Sequence, residues 1–178
     1  DNQERKELDR DTTKEAIDLL HEIHQPKEQN ASVLFQSHWH KGIVGIVASR
    51  VIDYYYKPTI VLTESDGKVT GSARSVKGFN IHDAILQCEH LLDTFGGHFF
   101  AAGLTMPKEN LKLFIAQFEQ VVTDTITESA KIPEIDIDCE IDLSDINDRF
   151  FRTLNRFAPF GPENMKPVFL TKNVQHIR

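Results

Sequence analysis

The sequence predicts an α/β fold: a mixed sheet flanked by helices, preceded by a long helix and followed by a short segment with its own strand pattern. Three observations carry this. Over residues 31–130, β-branched apolar runs alternate with apolar stripes at helical spacing. Residues 3–24 hold neither proline nor glycine and place Leu8, Ala16, Leu19, Leu20 and Ile23 on one stripe. After Lys131-Ile132-Pro133 the composition turns acidic, and Glu134–Ile141 alternates strictly between polar and apolar.

Each element has its own signal. The first helix is charged outside its stripe and reads as a connecting helix that Pro26 stops. Ser32–Gln36 is a short apolar run bounded by polar residues, the pattern of a strand. A helix opens at His40-Lys41-Gly42, marked by Ile43, Ile46, Val47, Ile52 and Tyr55, and ends at Lys57-Pro58. Thr59–Thr63 is continuous and β-branched, as in a buried strand. Asp66-Gly67 signals a turn, with Lys68–Arg74 returning. Asn80 is an N-cap with Asp83 in capping-box position. Ile81, Ala84, Ile85, Cys88, Leu91 and Leu92 then predict a helix running to Phe95-Gly96, with Gly97 and His98 emerging from its C-terminus. Ala101–Met106 reads as a strand, and Pro107 starts a helix burying Leu111, Phe114, Ile115, Phe118, Val121, Val122 and Ile126. Beyond the boundary, a helix is expected over Ser144–Phe157, a hinge at Pro159-Phe160-Gly161-Pro162, and a strand over Val168–Val174.

The 178 residues are 40% hydrophobic and 26% charged, the profile of a soluble globular protein. No apolar run reaches membrane-spanning length, so no membrane partner is expected. Two cysteines, Cys88 and Cys139, lack C-x-x-C spacing and fit a reducing cytoplasm. The chain begins at Asp1 and its only methionines are Met106 and Met165, so a piece of a longer protein is expected. The net charge of −7 argues against indiscriminate DNA binding, but its distribution qualifies that. Residues 107–148 carry 3 basic and 11 acidic side chains, whereas 149–178 carry 6 basic and 1 acidic. The glycine-rich middle is neutral and holds five of the eight histidines.

Three short motifs set polar donors among small residues. In Gly71-Ser72-Ala73-Arg74-Ser75, Arg74 offers a forked guanidinium and Ser72 and Ser75 add hydroxyls, a set suited to phosphate; the alternative is an arginine salt-bridged to a nearby acid. His40-Lys41-Gly42 lies at a helix start, where free amides favour an anion, or it is a solvated helix end. In Gly96-Gly97-His98, His98 has the chemistry to donate to a phosphate, ligate a metal or cap the preceding helix. Phe99 and Phe100 have the chemistry to stack bases but read as core. Nothing resembles a nucleophile elbow or a Walker loop, and no carboxylate cluster builds a metal centre from this chain alone.

Taken in series, Trp39-His40-Lys41-Gly42-Ile43-Val44-Gly45-Ile46-Val47-Ala48-Ser49-Arg50, then Gly71–Ser75, then Gly96-Gly97-His98 with Ala101-Ala102-Gly103, resemble the DHH-associated domain of RecJ-type exonucleases. Those enzymes belong to the DHH phosphoesterases and degrade single-stranded DNA from the 5′ end. Asn2 to Leu20 resembles the helix that joins this domain to the DHH domain. Pro159-Phe160-Gly161-Pro162-Glu163-Asn164 with Pro167-Val168-Phe169 resembles the entry to the family's OB-fold domain. The chain departs from the pattern at Lys41, where the family has proline.

The resemblance implies a division into a connecting helix (1–30), a DHH-associated substrate-binding domain (31–130) and a linker with a partial OB-fold (131–178). It implies that Ser72 and Arg74, helped by Ser75, hold the 5′-terminal phosphate. Gly96 and Gly97 would let the nucleotide approach, and His98 would be catalytic, facing a metal site across a cleft. His40 and Arg50 would lie near the DNA path. The metal, Mn²⁺ or Mg²⁺, would sit in an N-terminal DHH domain, with no cofactor held by these residues themselves and no nuclease activity expected of them alone. Single-stranded DNA, the chain's own DHH domain, a single-strand-binding protein and a helicase are the implied partners, in DNA repair and recombination. Two other readings stand beside this one. The first is a DHH phosphoesterase of short RNA or cyclic dinucleotides, and the second is a non-catalytic docking or nucleic-acid-binding module.

Overall fold

The computed structural model describes residues 2–23 and 29–175. Pro26 therefore lies outside the described residues, as does the side chain of Ile23. The chain divides into two compact units, Asp1–Pro133 and Glu134–Arg178.

The first unit is built on a five-stranded mixed sheet in the order β1-β2-β3-β5-β4. Its elements are α1 (Asn2–Ile23), β1 (Ser32–Phe35), α2 (Val44–Tyr54), β2 (Thr59–Ser65), β3 (Lys68–Arg74), α3 (Ile81–Leu86), β4 (Thr94–His98), β5 (Ala101–Met106) and α4 (Leu111–Thr125). β1 runs parallel to β2 across the α2 crossover, and every other pair is antiparallel.

Because strand side chains alternate between faces, the two sides of the sheet have different jobs. One buries Ile60, Leu62, Val69, Ala73, Leu104 and Met106 against Ile81 and Ile85 of α3 and Phe114 and Phe118 of α4. The two phenylalanines stack with centroids 5.8 Å apart. On the other side Leu34 and Val61 pack under Val44, Val47, Ala48 and Val51 of α2 and Ala16 of α1. That second layer covers β1 and β2 and reaches the near side of β3, leaving β5 and β4 open. Past it, Thr94, Gly96, His98 and Gly103 are exposed and Ser72, Arg74 and Ala101 half-buried.

Trp39 is buried and fixes the loop before α2. Its indole N–H donates to Glu15 of α1 at 2.9 Å, and its carbonyl accepts from the Thr63 hydroxyl at 2.6 Å. The α2 face is Val44, Val47, Ala48 and Val51; Ile46, expected inside, is exposed. β3 and β5 have the bounds expected from the sequence.

The helix expected to run from Ile81 to Phe95 is shorter. Asn80 caps it as expected, accepting from the Asp83 N–H, but α3 ends at Leu86, and a 3-10 turn follows at Glu89–Leu91. Thr94–His98 is a strand, not a helix end. The small residues that read as a helix stop are ladder partners: Gly96 lies opposite Gly103 and Gly97 opposite Ala102. Pro107 opens a 3-10 turn at Lys108–Asn110 before α4 begins.

The second unit contains β6 (Cys139–Glu140), α5 (Asp148–Asn155) and β7 (Phe169–Leu170), with β6 and β7 parallel. Both strands are shorter than the alternation predicted, and Ile135 and Ile137 are exposed, so the alternating segment buries no apolar face among the described residues. A 3-10 turn at Leu143–Asp145 precedes α5, which Asn147 caps by accepting from the N–H groups of Arg149 and Phe150.

Candidate functional site

The uncovered half of the sheet is where the polar motifs meet. Residues 72 and 74 share a face by the two-residue period of a strand. Across the ladder Ser72 pairs with Gly103, which pairs with Gly96; Arg74 pairs with Ala101, which pairs with His98. The result is two parallel rows, Ser72–Gly103–Gly96 and Arg74–Ala101–His98. Their middle members are too small to rise above the backbone. A β-carbon built on Gly96 would meet nothing within 4 Å, and one on Gly103 only the Gly71 carbonyl at 3.9 Å. The rows form an open floor with an arginine on one side and an imidazole on the other.

Arg74 is aimed before any ligand arrives. Its Nη1 donates to the Ser72 hydroxyl at 2.7 Å and to the Ala73 carbonyl at 2.8 Å. Burial draws its pKa below the usual guanidinium value, though arginine remains charged at any working pH. Gly45, in the first turn of α2, forms the wall: a β-carbon there would stand 2.8 Å from Arg74 Nη2 and 3.1 Å from Ser72 Oγ. The first turn of α2 thus packs directly against the guanidinium. Gly45 belongs to the wall of this floor but is not among the polar donors the sequence marks. Its one signal is a glycine inside an apolar helix, where alanine is the better helix former.

His98 is exposed at the end of β4. Its Nδ1 accepts the Phe100 N–H at 3.3 Å, so in the neutral ring Nε2 carries the proton and is the outward donor. It caps no helix, because the residues directly before it are β4.

The other expected residues go elsewhere. The Ser75 hydroxyl donates to the Phe79 carbonyl at 2.6 Å and its N–H to the Phe100 carbonyl, so it braces a loop. Gly97 (φ +157°) faces away from the floor; a β-carbon there would strike the Ala101 carbonyl at 2.2 Å, so its glycine serves the hairpin. His40 is turned back on its own loop, Nδ1 accepting the Gly42 N–H at 3.0 Å. Arg50 pairs with the buried carboxylate of Asp9 at 2.6 Å, joining α2 to α1. Phe99 and Phe100 are not core: they are 39% and 53% exposed at the tip of the β4–β5 hairpin.

Among the described residues no group of three or more His, Cys, Asp or Glu is arranged to hold a metal ion. A guanidinium, a hydroxyl and one imidazole do not make a divalent-cation site, which needs several carboxylate or imidazole donors. No helix of the described residues is long and apolar enough to cross a membrane.

The comparisons with known proteins place the chain in a class. Residues 28–124 match the DHHA1 domain and residues 137–178 the RecJ OB domain. The chain belongs to the DHHA1 domain family. Within that family it is of RecJ type. It is 36% identical over 174 residues to the single-stranded-DNA-specific exonuclease RecJ of Bacillus subtilis, a match covering 97% of this chain and 22% of that protein. It is 29% identical to the Escherichia coli protein of the same description, covering 94% of this chain and 30% of that one. The chain therefore spans about a fifth to a third of the curated relatives it matches. Among solved structures, RecJ of Thermus thermophilus in complex with Mg²⁺ superimposes with a TM-score of 0.79 at 26% identity, covering 94% of this chain and 25% of that one. The Mn²⁺ complex gives 0.80 at 28% identity, covering 96% and 24%.

Proposed function

We propose that this chain is the substrate-gripping part of a single-strand-specific 5′→3′ exonuclease, acting in DNA repair and recombination in the cytoplasm. Ser72 and Arg74 hold the 5′-terminal phosphate at the α2 wall, and His98 meets the next phosphate from the far side of the floor. The single observation that carries this is the row Arg74–Ala101–His98, with two phosphate-suited donors on one uncovered face.

Two strand spacings separate the row's ends, about 10 Å. That leaves room above Ala101 for a strand lying across the sheet, with a donor at each side. Arg74 offers a bidentate fork that selects a dianionic terminal phosphate by geometry as well as charge. The His98 Nε2–H stabilises charge developing on the scissile phosphate. The divalent metal, Mn²⁺ or Mg²⁺, belongs to a DHH domain N-terminal to these residues, since the donors here do not fit one.

Residues 1–30 contain the connecting helix, 31–130 form the substrate-binding domain and 131–178 the entry to the OB-fold. In the last, Arg149 and Arg152 of α5, Arg156 just beyond its end, and Lys166 track the strand by phosphate contacts. Arg50 contributes through α2, which it holds to α1, and His40 shapes the loop that starts α2. A single-strand-binding protein and a helicase are the expected partners.

Fluorescence anisotropy on the full-length protein in EDTA, with matched 5′-phosphorylated and 5′-hydroxyl oligodeoxynucleotides and a cyclic dinucleotide, tests this reading. Tighter binding of the 5′-phosphorylated strand supports it. Preference for the dinucleotide points to the short-substrate phosphoesterases, and no binding of any ligand points to a docking module.

A further inference from the structure

The two phenylalanines at the hairpin tip are an unusual use of a two-residue turn. Phe99 and Phe100 connect His98 to Ala101, so they adjoin the row that carries the phosphate donors. Turn positions favour glycine, asparagine and aspartate, and large apolar rings there cost solvation unless something covers them. Their rings meet edge to face with centroids 4.8 Å apart. An edge-to-face pair leaves at least one face of each ring free.

The tip is also rigid. The Ser75 N–H donates to the Phe100 carbonyl at 2.9 Å and the Ile81 N–H to the Phe99 carbonyl at 3.1 Å. The Phe100 N–H is held by His98 Nδ1 at 3.3 Å. Three hydrogen bonds thus lock a two-residue loop on both sides, and one of them orients the His98 ring. Any ligand that settles on the tip is set in register with that imidazole.

We propose that Phe100, buttressed by Phe99, is a stacking platform for an unpaired nucleobase of the strand whose phosphates lie between Arg74 and His98. This rests on the phosphate-gripping reading and adds to it what holds the base. The occupant follows from continuity and size. The platform is charge-free yet contiguous with an arginine–imidazole floor, the pairing of aromatic face and cationic groove that single-stranded nucleic acids need. Two phenylalanine rings offer at most about 150–250 Å² each, against about 800 Å² per partner in a stable protein interface. A base fits that area; a folded partner needs more. Stacking on an aromatic face tolerates any base, so the platform grips without reading sequence.

The test is a cycle between protein ring and DNA base, measured as binding by the full-length protein in EDTA. The probes are a 5′-phosphorylated oligothymidylate and the same strand carrying an abasic tetrahydrofuran residue at the first, second or third position. Wild type should bind the strand abasic at one of these positions roughly tenfold more weakly. Phe100→Ala should lose about as much on the intact strand and nothing further on the abasic one. Phe100→Trp should keep full affinity, whereas Phe100→Leu, which retains bulk without a π-face, should behave like alanine. Urea denaturation followed by circular dichroism verifies the fold of the Ala and Leu variants.

Equal weakening on both strands would make Phe100 a structural or protein-docking residue and overturn the proposal. So would a wild type indifferent to the missing base, or a leucine variant as tight as wild type. The 5′-phosphate preference should persist in Phe100→Ala. Its absence from wild type, with the base coupling intact, would count against the phosphate reading and leave the platform standing.

Discussion

Arg74 and His98 share a neighbour: both lie opposite Ala101, one on each side of β5, and so face the same open floor. Neither touches the other, and the methyl between them is too small to fill the gap. Placing the donors on two strands of one ladder fixes their separation through backbone hydrogen bonds, the most rigid means available to a sheet.

Gly45 is the first place to disturb this. Gly45→Ala should leave stability unchanged or raise it by about 0.5–1 kcal/mol, since alanine is the better helix residue. The added methyl would displace the flexible end of Arg74 at 2.8 Å rather than any backbone. Urea denaturation should therefore show a fold as stable as wild type, while preference for a 5′-phosphorylated strand falls. An unaltered preference would mean the guanidinium reaches phosphate without that wall.

His98→Ala in the full-length protein should lower kcat by about 10²–10³ with little change in strand affinity, if the ring donates mainly in the transition state. Single-turnover cleavage against anisotropy under the same conditions separates the two. Because Nδ1 also holds the Phe100 N–H, His98→Asn, which can still accept that bond, should bind base-containing strands better than His98→Ala.

Arg50 should prove to be a stability residue. Its partner Asp9 has a side chain only 7% exposed, whereas Arg50 is 46% exposed, so water partly compensates when the guanidinium is removed. Arg50→Ala should cost about 1–3 kcal/mol in urea denaturation and leave the ratio of 5′-phosphate to 5′-hydroxyl affinity untouched.

Cys88 gives a pH signature. Burial pushes its thiol up from 9.0 to about 11. Below pH 9 folded and unfolded chains both hold the proton. Between pH 9 and about 11 the unfolded chain releases a proton that the folded chain keeps, so stability falls across that window, by up to about 2–3 kcal/mol. Thermal melts should show that component vanish in Cys88→Ala.

β2, β3 and β5 are legible in the sequence because β-branched residues, a turn dipeptide and alternation agree over short spans. β4 is not. Leu91 and Leu92 extend a helical period past Leu86, and two glycines imitate a helix stop; only the pairing of Gly96 with Gly103 makes them a strand. That single misplacement turns His98 from a row member into a helix cap. Ser75 and Gly97 differ from Arg74 and His98 by parity: each sits one residue off the floor's face. Phe99 and Phe100 read as core because composition reports apolarity, whereas exposure depends on which residues form the turn. In the second unit, alternation between Ile135 and Ile141 asks for neighbouring strands, and only Cys139–Glu140 has one among the described residues.

The most direct test of the account is the affinity ratio between 5′-phosphorylated and 5′-hydroxyl single strands, measured by anisotropy in EDTA for full-length wild type, Arg74→Lys and Arg74→Ala. Lysine keeps the charge and loses the fork. The account predicts a clear phosphate preference in wild type, a reduced one in Arg74→Lys and almost none in Arg74→Ala. Affinity for the 5′-hydroxyl strand, and its salt dependence, should hold nearly constant through the other basic residues. Equal losses on both strands in Arg74→Ala would make Arg74 a general charge and contradict the assignment of the 5′ end.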